Sequence, residues 1–322
     1  MIKKRFFTSL VAIFTAVVMV FSLAGCQNGE NNGISQKEFM QGVKKSYDNY
    51  VSAYKDYDAF GDITITASGT NYSSTDGEHT YTPEGASQSV TKKYTDSSSK
   101  TATATISVKR INNEIVLVAE YQLTEVDTEH VTTETTFEKV VTTSIERNRF
   151  EFGVIGTDYY AKAVYTEKYN DEQTEEKVYQ KFADRASYVS AINEHLEELN
   201  DEFVFPTYSV FEGSQAEMLL MFPMTYSKDG NLFVIGMDVS MLMIDGDSKE
   251  SHVMEMGSNM KYGPKGIAHY ETNTDYGLVK AGIEMKFDYT SSNKALSGIE
   301  GYTEGVVNGA VIDGGILEIL GA

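Results

Sequence analysis

Apolar residues along this 322-residue chain recur with two different periods. Phe39, Val43, Tyr47, Tyr50, Val51 and Tyr54 are spaced by threes and fours, which predicts a helix over about 35–56. Ser35 and Glu38 stand ahead of it as a capping box. Tyr188, Val189, Ile192, Leu196 and Leu199 predict a second helix near 184–200. A third, shorter one is expected after Ser214, which pairs with Glu217 as another capping box.

Elsewhere the period is two. Ile63-Thr64-Ile65-Thr66-Ala67 alternates strictly, and Thr101 to Arg110 less cleanly. Ile115, Leu117, Ala119, Tyr121 and Leu123 line one face of the next strand. Strands are further expected over 132–145, 150–155, 159–168 and 175–182, with Asn170-Asp171-Glu172-Gln173 joining the last two. They resume over 232–244, between the turn signals Asp229-Gly230 and Asp245-Gly246. The stretches 252–261 and 267–271 follow, joined through Tyr262-Gly263-Pro264-Lys265, and then 278–289. The Gly-rich apolar segment 298–322 reads as a final strand pair. The expectation is an α+β domain: one large curved antiparallel sheet, half-barrel like, with about three helices on its concave face.

The chain start follows neither period. Met1-Ile2-Lys3-Lys4-Arg5 is cationic, and an apolar run from Phe6 to Ala24 follows. These have the form of the n-region and h-region of a secretory signal. The run ends Leu23-Ala24-Gly25-Cys26, which resembles the lipobox of bacterial lipoproteins. That resemblance implies acylation of Cys26 by diacylglycerol and fatty acid, and a mature chain starting there. The competing reading is a transmembrane anchor with a chance Cys. Cys26 is the sole cysteine, so no internal disulfide is possible and lipidation gives it a task. Gln27 to Gly33 is polar and aperiodic, as a tether would be. The expected organisation is a signal peptide over 1–25, a lipidated tether over 26–34, and one domain over 35–322. Its expected place is the extracytoplasmic face of the cell membrane.

Removing 25 residues from 322 leaves a mature chain of 297. Without Lys3, Lys4 and Arg5 the 27 bases become 24, against 47 acids, so its net charge is −23. Such a surface repels nucleic acid and anionic head groups, leaving acyl chains to hold the membrane. The same charge also serves plain solubility in an external medium. Four prolines and 21 tyrosines, with dense threonine, suit a half-exposed pleated surface. A lipobox, a leading amphipathic helix and a strand meander interrupted by helices resemble the half-barrel lipoproteins, including the LolA and LolB carriers and the LppX and LprG group. That resemblance implies a sheet wrapped around an apolar cavity for lipid chains. It assigns no ligand-binding residue.

Enzyme chemistry has little footing, and none is expected. Gly-x-Ser-x-Gly, His-Glu-x-x-His, phosphate-loop and dinucleotide motifs are missing. Ser-x-x-Lys occurs at Ser89/Lys92, Ser97/Lys100 and Ser291/Lys294, in strand or loop sequence and without companion motifs. The five histidines are scattered, and no metal or other cofactor is expected. Asp245-Gly246-Asp247-Ser248-Lys249-Glu250 is a hairpin turn first and a weak calcium loop second.

Methionine stands out. Ten of the 13 lie between Met218 and Met285. Met237, Met241 and Met243 share one strand face; Met254, Met256 and Met260 share another; Met285 lies on a third. Met218, Met221 and Met224 recur every three residues before them. A close-packed core, a lipid-lined cavity and a thioether copper(I) site all fit such a pattern. The leading expectation is a lipoprotein that binds, carries or senses an apolar ligand in a cavity of more than about 300 Å³ beside these faces. The alternative is a structural or interaction lipoprotein with an envelope protein partner and no small-molecule ligand.

Overall fold

The computed structural model describes residues 33–54, 62–203, 224–244, 251–264, 266–276, 279–290 and 298–307. Helix α1 (Gln36–Tyr54) comes first, and the Ser35 hydroxyl accepts the Glu38 N–H at 3.2 Å, as the capping box requires. Six strands follow: β1 (Ile63–Tyr81), β2 (Val90–Ile111), β3 (Glu114–Thr132), β4 (Phe137–Ile155), β5 (Asp158–Tyr169) and β6 (Glu172–Lys181). Helix α2 (Arg185–Phe203) interrupts them, its first turn held by Asp184, which accepts the Ser187 N–H at 2.8 Å. Then come β7 (Met224–Asp229), β8 (Leu232–Ile244), β9 (Ser251–Gly263), β10 (Gly266–Tyr276), β11 (Val279–Thr290) and the short β12 (Thr303–Glu304).

All twelve strands belong to one sheet in the order β12-β6-β5-β4-β3-β2-β1-β11-β10-β9-β8-β7. Neighbours are antiparallel except β12, which runs parallel to β6. β1 is the seam between the two meanders. It pairs with β2 from Ile63↔Val108 to Tyr81↔Val90, and with β11 from Thr64↔Thr290 to Thr75↔Val279.

The architecture corrects the α+β expectation. It is mostly β, and the described residues hold two helices rather than about three on a concave face. The sheet does not close; it ends at β12 and β7. The physical reason is strand length. β2 has 22 residues and extends roughly 75 Å, whereas a helix of 19 residues extends about 28 Å. Two such helices cannot layer a face that long. The third expected helix, after Ser214, lies outside the described residues, as do Cys26, the signal segment, most of the tether and the 245–250 turn.

Both helices pack on one face near the end of the sheet where β1 begins. On that face α2 buries Tyr188 and Ile192 against Ile115, Leu117, Phe152 and their neighbours, and the Tyr188 hydroxyl donates to the Ile115 carbonyl. Helix α1 buries Phe39 and Val43 against Tyr226, Ile235 and Tyr262. Phe39 meets the Tyr226 and Tyr262 rings at 5.2 and 6.0 Å. Gly42 brings α1 so close to β8 that a Cβ there would lie 2.1 Å from the Phe233 ring.

At the far end the sheet doubles. The β2–β3 ladder stops at Ser97↔Thr128, while β1–β2 and β3–β4 run on as separate hairpins. Register places His79, Tyr81 and Tyr94 on the core side of the first hairpin and His130 and Phe137 on the opposite side of the second. These two sides meet: Tyr81 stacks on Phe137 at 5.9 Å, and Tyr94 tilts over His130 at 5.2 Å. Thr82 N–H donates to the Glu134 carbonyl at 3.0 Å, and Asp96 accepts the His130 N–H at 2.8 Å. The hairpin ends form a small two-layer stack with an aromatic interior.

Candidate functional site

The methionines are gathered by register. Antiparallel pairing sets Met224 opposite Met237, Val239 opposite Met256, and Met241 opposite Met254. Ile235 stands opposite Met260, Met260 opposite Tyr270, and Tyr270 opposite Met285. Side chains of directly paired residues point to the same side of a sheet. The three strand faces read from the sequence are therefore one face, shared by β7 to β11. It is the face on which α1 packs. Met243, opposite His252, has the same register parity at the end of β8.

Burial differs along this face. Met254 and Met285 are fully buried, whereas Met237, Met241, Met256 and Met260 are half-buried. Met285 belongs to the core under α2, and Met260 and Met224 flank the cluster under α1. Met237, Met241, Met254 and Met256 belong to neither. They continue the apolar surface along β8 and β9, away from the helix.

Aromatic residues that the sequence reading passed over complete the face. Tyr226, Tyr262 and Tyr270 sit in rows with Ile235, Phe233 and Met260. The Tyr262 hydroxyl donates to the Met260 sulfur. Burial pushes the Tyr262 phenol well above its ordinary range, with Tyr270 adding to the effect. Burial also raises Tyr270 and Tyr226. This region is of low polarity, suited to apolar groups and thioethers and unsuited to bare charge.

The other face carries a second group that the sequence did not reveal. Register aligns Val118, Glu151, Lys162 and Tyr179 in one row across β3 to β6. Glu151 and Lys162 are buried and paired at 2.7 Å. Arg149 donates to Glu151 at 2.8 Å and also reaches Glu120. Burial opposes the Arg149 charge, yet Glu151 and Glu120 together hold its pKa above the ordinary value. Lys162 donates to the Gly298 carbonyl at 3.2 Å and lies 5.6 Å from the Tyr302 ring centre. Its positive charge thus pins the segment leading into β12. This geometry is a clamp on the chain, since each charged tip is turned onto protein.

Groups of three or more His, Cys, Asp or Glu able to hold a metal ion are not found among the described residues. Nor is any described helix long and apolar enough to cross a membrane. An open groove of about 630 Å³ lies at the opposite edge from the methionines, between β6 and β12. No family model and no curated protein matches the chain.

Proposed function

We propose that this chain is an extracytoplasmic lipoprotein, anchored through acylated Cys26, whose methionine face takes an apolar or lipid ligand. The observation that carries the reading is the convergence of Met237, Met241, Met254, Met256, Met260 and Met285 on one sheet face. Thioether side chains have three rotatable bonds and adapt to ligands of varied shape. A core that needs only to be filled is better served by Leu, Ile and Val. The resemblance to lipid-carrying lipoproteins adds a second, weaker support through its element order: a helix, six strands, a helix and six more strands among the described residues. A structural or interaction lipoprotein is the second reading. The long Thr-rich hairpin pair of β1 to β4 favours it, because it places a wide polar surface far from the helices.

A fluorescent fatty acid tests the first reading. The full chain should bind it, and Met241→Asp or Met256→Asp should abolish binding. Met241→Leu and Met256→Leu should retain the fold at a cost below about 1.5 kcal/mol. Absence of binding in the native chain, or full binding by both Asp variants, sinks the apolar-ligand reading and leaves the interaction protein.

A further inference from the structure

The outer backbone edge of β6 is covered by β12 only at Val178 and Tyr179, among the described residues. Gly305 N–H donates to the Tyr179 carbonyl at 2.9 Å, so the backbone polar groups of Tyr179 point outward. Antiparallel pairing alternates residue by residue. Lys177, Glu175 and Gln173, which face Val164, Thr166 and Lys168 across the ladder, therefore also turn their N–H and C=O groups outward. Beside them runs the groove of about 630 Å³, bounded by Glu175 to Val178 on one side and Gly301 to Val306 on the other.

The groove combines acid and apolar surface. Glu175, Glu176 and Glu304 line it with Val178 and the exposed Val306. Lys177 is engaged with Glu175 at 2.8 Å. Glu176 and Glu304 meet no cation among the described residues. We propose that this edge docks an extended basic segment of a partner polypeptide, which adds a strand to β6 ahead of Thr303. Main-chain bonds to Gln173, Glu175 and Lys177 hold the segment. Its alternate side chains meet the valines and the carboxylates. A second copy of this chain is not the occupant: it presents the same acidic edge and a net charge of −20. The acids that protect this edge from its own kind select Lys and Arg in a partner. This site is separate from the methionine face and stands whether or not that face binds lipid.

The test titrates the full chain with a short synthetic peptide of alternating Lys and Val, and with its Glu–Val counterpart. The Lys–Val peptide should bind, more weakly as salt rises, and should slow amide exchange at Gln173, Glu175 and Lys177. Glu175→Pro removes an outward N–H while sparing the β5 ladder, and should abolish binding. The double substitution Glu176→Gln with Glu304→Gln keeps every backbone group and should weaken binding roughly tenfold. Equal binding of the two peptides, protection at another part of the sheet, or unchanged affinity in the double variant would overturn the proposal. The double variant decides alone if Glu175→Pro does not fold.

Discussion

Phe39 and Lys162 are both buried, by opposite means. Phe39 is wholly enclosed by Tyr226, Phe233 and Tyr262, and gives up only apolar area to be there. Phe39→Ala should cost about 3 to 5 kcal/mol in chemical denaturation, and a loss below about 0.5 kcal/mol would mean that α1 is not docked in solution. Lys162 is buried only because Glu151 and the Gly298 carbonyl receive its charge. Lys162→Met leaves the buried Glu151 carboxylate with Arg149 as its cation and deprives its other oxygen of the Lys162 partner, and should destabilise by about 1 to 3 kcal/mol. Lys162→Met combined with Glu151→Leu should recover most of that loss. A double variant as unstable as the single one would show that the charges do more than neutralise each other.

At the scale of elements, the cap of α2 is sensitive to pH because it is a carboxylate. Hydrogen bonds from the Ser187 N–H and hydroxyl hold the Asp184 carboxyl below its usual range at the start of α2. A lowered folded-state pKa contributes stability above the unfolded value and loses it as pH falls through the folded one. Asp184→Ala should therefore lower the thermal midpoint at neutral pH, and the gap to the native chain should narrow in acid. A gap independent of pH would remove the carboxylate from the account. The N-terminus of α1 was legible because Ser35, Glu38 and the following apolar spacing all agree, and β8 because its alternation runs from Leu232 to Ile244 between turn signals. Residues 69–81 and 90–100 were not read as strand, since Ser, Thr, Asp and Gly there carry no apolar alternation. They are strand because each pairs along its whole length with the other hairpin arm. Gly77 shows how such a ladder is built without apolar pattern: the Tyr94 ring covers it so closely that a Cβ would lie 2.4 Å away. The expected strand over 132–145 straddled a turn at 133–136, where Thr133 binds Thr136 in place of a Gly or Pro signal. The methionine positions were legible by period two. Their common face was not, because cross-strand register is long-range information. The Glu151–Lys162 pair was hidden for the same reason.

For the whole molecule, the proposed acyl anchor on Cys26 would decide where these surfaces work. Cys26→Ser should release the chain from the membrane fraction without detergent. Retention of the variant there would replace the acyl anchor with a spanning segment. With 47 acids against 27 bases, the chain should also resist pelleting with anionic vesicles, whatever it does with neutral ones. Binding to anionic vesicles by the Cys26→Ser chain would expose a basic surface that the charge count does not suggest.

The seam at β1 carries a consequence for how the chain acquires this structure. Thr64 pairs with Ser107 on one side and with Thr290 on the other. The first partner arrives within one hairpin, whereas the second waits for nearly the whole chain. Long-range pairing is slow because loop closure precedes the contacts that reward it. The meander β1–β6 can assemble locally, and so can β7–β11, but the β1–β11 ladder joins them last. In pulsed hydrogen exchange during refolding, amides of β11 facing β1 should gain protection after those of the β1–β2 hairpin. A chain delivered N-terminus first holds the edge of β1 open throughout that interval, and is most vulnerable to mispairing until β11 arrives.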